Sequence, residues 1–220
     1  MDILIDSNTF FVFDLDDTLF KEIEYLKSAY QSIALKVSAS DHTDLYEQMF
    51  LRYKRRENVF KWLNDEYGIH GIELPWLLKE YREHIPSISM ADDTAKFLEQ
   101  VREHKIPTGL ITDGRSITQR NKLRALGMED YFRDIIISEE FGSEKPDERN
   151  YLFFENKYPG KDFYFFGDNT GKDFIVPHKL GWKTVCIKDD GNHIHPQKEN
   201  PIPAPAFMIS SFKEIVLQTS

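Results

Sequence analysis

Five short uncharged runs, each without a regular apolar–polar alternation, narrow the fold more than any other property of the chain. They fall at residues 10–13, 107–111, 135–137, 163–166 and 184–187. A strand with one wet face alternates apolar and polar side chains, whereas a strand buried on both faces has no reason to. Helix-like stretches separate the runs, so the sequence predicts a doubly wound α/β sheet of parallel strands. In such a sheet ligands bind beyond the carboxyl ends of the strands. Ser116 with Gln119 predicts a capping box at a helix start, and Gly127 sits where that helix should stop. Ser211 with Glu214 repeats the signature for a terminal helix. Residues 189–205, with Gly191 and four prolines at 196, 201, 203 and 205, read as a loop.

The first run leads into Phe13-Asp14-Leu15-Asp16-Asp17-Thr18-Leu19-Phe20. In extended chain, residues i and i+2 point to one side and the residue between points to the other. Asp14 and Asp16 therefore face one site while Leu15 returns to apolar packing. Two carboxylates this close do not both ionise comfortably, so the pattern calls for a metal ion, a proton held on one carboxyl, or both. At a strand end the pair looks like a nucleophile and its general acid/base partner. Asp17 and Thr18 are read as helix-capping residues and stay outside the catalytic set.

Three later segments have the same character. Leu110-Ile111-Thr112-Asp113-Gly114 is an apolar run ending in a hydroxyl. Ser143-Glu144-Lys145-Pro146-Asp147 places a lysine before a proline at a helix start. Phe165-Phe166-Gly167-Asp168-Asn169-Thr170-Gly171-Lys172-Asp173 ends an apolar run with two carboxylates five apart. With these four segments in this order, the chain resembles the haloacid dehalogenase (HAD) superfamily. The resemblance covers nearly the whole chain, with residues 20–90 matching only in general character. It implies a HAD-like Rossmannoid core in which Asp14 attacks phosphorus to form an aspartyl-phosphate. Asp16 would protonate the leaving alcohol and then take a proton from the hydrolytic water. A magnesium ion would be held by the Asp14 and Asp168 carboxylates and the Asp16 backbone carbonyl. Thr112 and the Asp113 backbone N–H would bind phosphate oxygens, and Lys145 would neutralise Asp14 and the transferring group. Asp173 would position a metal-coordinated water or Lys145. Asp113 stands where related phosphatases often have asparagine, and Pro177 predicts that the helix after Asp173 starts late or kinks. An aspartate at position 16 separates phosphomonoester chemistry from dehalogenation, which needs no acid there.

Residues 20–88 are too long for one crossover helix. Ile23, Leu26, Tyr30, Ile33 and Val37 repeat at helical spacing, and so do Leu45, Met49 and Tyr53, then Phe60, Leu63 and Tyr67, then Leu74, Leu77, Leu78 and Tyr81. We expect a smaller all-helical cap domain over 20–88, inserted into a core formed by 1–19 and 89–220, with turns at residues 40–43 and 68–73. The basic run containing Arg52, Arg55 and Arg56 is a candidate contact for a second phosphate, a carboxylate or a base. A solvated helix face is the favoured alternative. Trp62 and Trp76 are expected in the core of the cap, and His193 and His195 on the surface, so no zinc site is implied.

The net charge of −9 argues against non-specific nucleic-acid or membrane binding. It leaves room for a phosphorylated ligand, because a divalent cation can reverse the sign inside a site. The lone cysteine, Cys186, cannot form an internal disulfide and is expected as a buried strand residue in a reducing cytoplasm. No segment approaches the ~20 apolar residues of a membrane helix. The expected function is a magnesium-dependent phosphatase of a small phosphorylated metabolite, either a nucleoside monophosphate or a sugar phosphate. The alternatives are a phosphotransferase or phosphomutase of the same superfamily and, further off, a receiver-like signalling module or a non-catalytic phosphate-binding protein.

Overall fold

The computed structural model describes residues 1–68 and 71–219. In chain order its strands are β1 (Asp2–Ile5), β2 (Thr9–Phe13), β3 (Thr108–Thr112), β4 (Asp134–Ile137), β5 (Asp162–Gly167), β6 (Lys183–Ile187), β7 (Phe207–Ile209) and β8 (Val216–Thr219). Six of them form one parallel sheet in the order β4-β3-β2-β5-β6-β7. All five residues of β2 are buried, as its uncharged composition demands. Alternate side chains enter two separate apolar layers. Phe11, Phe13, Leu110, Tyr164 and Phe166 face one, and Phe10, Val12, Ile111, Phe163 and Phe165 face the other. Helices cover both layers: α5 (Asp92–Glu103) and α6 (Ser116–Ala125) on the first, α8 (Glu148–Lys157) and α9 (Ile175–Lys179) on the second. The sheet is the expected doubly wound α/β core. The chain leaves β2 in one direction toward β3 and β4, then returns to its other side at β5, so the strand order reverses at β2.

Between β2 and α5 lie α1 (Glu22–Val37), α2 (His42–Lys54), α3 (Val59–Tyr67) and α4 (Leu74–Glu83). Their apolar stripes meet in a third cluster that includes Leu26, Ile33, Met49, Leu63 and Leu77. Trp62 and Trp76 pack against it half-buried. The Tyr25 hydroxyl donates to the Tyr81 carbonyl at 2.5 Å, tying α1 to α4. Part of the turn expected at 68–73, residues 69 and 70, lies outside the described residues.

Some local expectations need correction and others hold. Ser116 makes no side-chain cap on α6. Its backbone N–H instead donates to Glu139 Oε2 at 2.7 Å, so a carboxylate from α7 (Ser138–Phe141) closes the helix start. Ser211 and Glu214 do form a capping box, but on a single 3-10 turn (Phe212–Glu214) rather than a terminal helix. β7 was not anticipated, nor was the separate parallel pair formed by β1 and β8. Pro177 falls in the first turn of the five-residue α9, where its missing N–H has no helical partner to lose. Gly127 follows α6 at φ +66°, the left-handed conformation that ends helices cheaply. Cys186 is fully buried in β6.

Candidate active site

β2 delivers Asp14 to the carboxyl edge of the sheet, and the Asp14 N–H donates to the Phe166 carbonyl at 2.8 Å, extending the pairing with β5. Here, at the reversal of strand order, a cavity of about 640 Å³ opens. Asp14, Asp16, Asp113, Lys145 and Asp168 line it. Thr112 and Asp173 are buried beside it: Thr112 precedes the lining residue Asp113 in the chain, and Asp173 pairs with the lining residue Lys145.

Lys145 is the pivot. Its Nζ lies 2.5 Å from Asp14 Oδ1 and 2.8 Å from Asp173 Oδ1, with all three groups buried. Burial alone would pull the Lys145 ammonium down, but Asp14 and then Asp173 outweigh it and hold the proton on the lysine. Asp14 is pushed well above the usual carboxylate range, first by burial and then by the charges of Asp173, Asp168 and Asp16; Lys145 opposes them. Asp173 Oδ2 accepts the N–H groups of Asp168 and Asn169 at 3.2 and 2.9 Å, so both its oxygens are engaged. Gly167 leaves room for it: a Cβ there would stand 2.6 Å from Asp173 Oδ2. Thr18 Oγ1 donates to Asp14 Oδ2 at 3.4 Å, which places Thr18 at the site as well as in the turn.

The donor set suits a hard cation. Oxygens of Asp14, Asp168 and Asp173 lie within 4.8 Å of one another, and carboxylates are the ligands magnesium takes. The upward push on Asp14 from its acidic neighbours is the strain that a cation would relieve.

Asp113 does two things with its side chain. Oδ1 accepts the Lys145 N–H at 3.0 Å, and Oδ2 pairs with Lys172 Nζ at 2.5 Å. The second contact gives this position a reason to be charged. Asp17, at φ +54°, also lines the cavity. It accepts the N–H of Glu22 at the start of α1 and the N–H of Ile194, both at 2.9 Å.

Residues 189–205 form a loop, as expected, but the Ile194 bond folds it back onto the site. The His193 side chain is buried rather than superficial, with Nδ1 3.2 Å from Asp168 Oδ2 and Nε2 3.1 Å from Lys21 Nζ. Burial pulls its pKa down, but the bond to Asp168 and the charge of Asp17 leave it raised. The Gln197 amide fastens the segment by donating to the carbonyls of Asp168 and Ile187, each at 2.7 Å. His195 is exposed and lines the cavity.

Two further residues were missed. Asp16 Oδ1 lies 2.6 Å from Lys122 Nζ, and Asp16 Oδ2 accepts from Gln119 Nε2 at 2.9 Å. Both partners are buried on α6. The signal was present: Gln119, Lys122, Leu123 and Leu126 fall at i, i+3, i+4 and i+7, so two polar residues occupy an apolar stripe. The basic run does not reach the cavity lining. Arg52 pairs with Glu57 at 2.7 Å and lies 4.1 Å from the Trp62 ring centre, while Arg55 and Arg56 are exposed. Of the described residues in α1–α4, Glu22 lines the cavity. Burial, then Asp16, raise its carboxyl to about 7 against the pull of Lys122.

The chain is similar to known phosphatases. A glyceraldehyde 3-phosphate phosphatase of Methanocaldococcus jannaschii is 28% identical over 194 residues, covering 80% of this chain and 83% of the relative. The human N-acylneuraminate-9-phosphatase is 30% identical over 132 residues, 58% of this chain and 51% of the relative. The magnesium-bound HAD-hydrolase YfnB of Bacillus subtilis superposes with a TM-score of 0.64 at 18% identity, covering 95% of this chain and 97% of that one. The family model described as haloacid dehalogenase-like hydrolase matches residues 11–187, from the middle of β2 to the end of β6 and through all four site segments, and the chain belongs to that family.

Proposed function

We propose that this protein is a magnesium-dependent phosphatase that hydrolyses a small phosphomonoester, a sugar phosphate or a nucleoside monophosphate, through phosphorylated Asp14. The observation that carries the reading is the buried Asp14 carboxyl, 2.5 Å from Lys145 Nζ and faced by Asp168 and Asp173. Relatives named as phosphatases of glyceraldehyde 3-phosphate, of N-acylneuraminate and of phosphoserine support the substrate class. An acid at position 16 favours ester hydrolysis over dehalogenation, because an alkoxide leaving group needs a proton and a halide does not.

Magnesium held by Asp14, Asp168 and the Asp16 carbonyl would offset the negative charge of nucleophile and phosphoryl group. Asp14 attacks phosphorus as the ester P–O bond breaks, and its electron pair goes to the leaving oxygen, which takes the proton from Asp16. In the second half, Asp16 accepts a proton from water while the water oxygen bonds to phosphorus and the Asp14–phosphorus bond breaks. Lys145 neutralises charge on Asp14 and the phosphoryl group, held from behind by Asp173. Thr112 and the Asp113 N–H bind the phosphoryl oxygens. Helices α1–α4 serve as a cap over the leaving group, with residues 20–88 as its span.

The test is phosphate release from a panel of phosphorylated metabolites and p-nitrophenyl phosphate, with magnesium and with a chelator. Release with magnesium from a sugar phosphate or nucleoside monophosphate, lost in chelator and restored by magnesium, is expected. No release from any compound with magnesium present overturns the reading.

A further inference from the structure

Gln119 and Lys122 occupy a part of the site that the four motifs do not describe. Lys122 is 2% exposed and Gln119 1%, both on the face of α6 turned toward the first motif. A buried ammonium is costly unless paired. Lys122 has Asp16 at 2.6 Å and Glu22 at 3.6 Å, with the Tyr25 ring 4.5 Å away. Leucine, as at the adjacent Leu123, would satisfy apolar packing at lower cost, so packing does not explain the lysine. Its carboxylate partner does.

We propose, resting on the phosphatase reading above, that Gln119 and Lys122 are positioning residues that aim the Asp16 carboxyl at the leaving-group oxygen. Both groups meeting Asp16 are hydrogen-bond donors: an amide Nε2 and an ammonium Nζ. Each occupies a lone pair of one carboxyl oxygen. A proton carried by Asp16 then has no acceptor among these two partners, and it is left to the oxygen of the departing alcohol in the cavity. The same Gln119 Nε2 lies 2.5 Å from Thr112 Oγ1. Thr112 accepts that bond, which leaves its own O–H free to donate to a phosphoryl oxygen. One amide thus sets the polarity of the acid and of the phosphate-binding hydroxyl together. Gly114, at φ +141°, makes room for it: a Cβ there would lie 3.2 Å from Gln119 Cδ.

The aim of an acid matters most when the leaving group is poor. An alkyl phosphate releases a strongly basic alkoxide, whereas p-nitrophenol leaves readily without a proton. The experiment measures kcat/KM, with magnesium, on glycerol phosphate and on p-nitrophenyl phosphate for Lys122→Met, Lys122→Arg, Gln119→Leu and, as reference, Asp16→Asn. A misaimed group typically costs about a hundred-fold, and that loss is expected on the alkyl ester for Lys122→Met and Gln119→Leu. The ratio of the two kcat/KM values should shift at least about ten-fold, in the direction Asp16→Asn shifts it, because the acid contributes about 10²–10⁴-fold where it is needed. Lys122→Arg, which keeps a donor cation, should recover part of the ratio. Melting curves identify the folded variants, and Gln119→Leu carries the test if Lys122→Met does not fold. Equal losses on both esters, a greater loss on the aryl ester, or no loss in the folded variants overturns the proposal. A wild-type protein inactive on both esters, or an unshifted ratio in Asp16→Asn, overturns the phosphatase or general-acid reading instead.

Discussion

At the scale of single residues, the site is a set of charges that the fold keeps out of water. Asp14 shows the cost: burial and three nearby carboxyls push its proton affinity up. Asp14→Asn removes the attacking oxygen and the penalty together. Its activity on p-nitrophenyl phosphate should fall by several orders of magnitude, as when other covalent nucleophiles are removed. Its melting temperature in chelator should hold or rise. A folded mutant that keeps most of its activity removes Asp14 from the nucleophile's role. Glu22 makes a separate prediction. Its carboxyl keeps a proton up to about 7 in the folded chain, against 4.5 in the unfolded reference. Between those values the folded state binds more protons, so this residue's contribution to stability falls as pH rises through the window and stays low above it. Glu22→Gln has no proton to lose. Relative to the native chain, its melting temperature should rise by several degrees from about pH 5 to about pH 8, at about 2–4 °C per kcal/mol for a chain of this size. A flat difference across that range removes Glu22 as the source.

At the scale of elements, the central strands were legible because burial on both faces leaves a one-letter signature. Phe10, Phe11, Val12 and Phe13 have no solvated neighbour to alternate with. The edge elements lack that signature. β7 has two exposed residues out of three, and β1 and β8 form a small sheet of their own with mixed burial. Asp14, Thr112 and Asp168 could be read from their positions at strand ends, Asp16 from its spacing to Asp14, and Lys145, which lies beyond α7, from the Lys-Pro step before a helix. The role of Gln119 and Lys122 could not: the apolar stripe of α6 marks them as inward-facing, but nothing in it names Asp16 as their partner. His193 could not either, since its burial depends on a loop folding back onto Asp168 through the Asp17 and Gln197 hydrogen bonds. β3 and α8 pack closely at Gly109, where an added Cβ would stand 2.2 Å from the Phe154 ring. Gly109→Ala should destabilise the protein by about 1–3 kcal/mol, the usual cost of overpacking a core. Denaturant unfolding measures it, and an unchanged midpoint would show that α8 yields freely.

At the scale of the whole molecule, a chain of net charge −9 places several carboxylates in a cavity meant for a phosphate ester. The divalent ion proposed for this site would reconcile the two, and it should bind the native state alone. Magnesium at about a hundred times its Kd should add about 2.7 kcal/mol of stability. A rise in melting temperature on adding magnesium, reversed by chelator and abolished in Asp168→Asn, is the expected result. No shift in the native protein counts against magnesium at this site. The topology has a kinetic side as well. β2 is the hub of the sheet, yet its neighbours come much later in the chain: β3 beyond five helices, and β5 later still. During synthesis, Phe10-Phe11-Val12-Phe13 emerges long before either partner exists. The helices α1–α4, joined by local contacts around their own apolar cluster, can assemble in the interval. Within the six-stranded sheet, the strand that delivers Asp14 therefore spends the longest time unpaired, and in a newborn chain it is the strand of that sheet most open to wrong pairing.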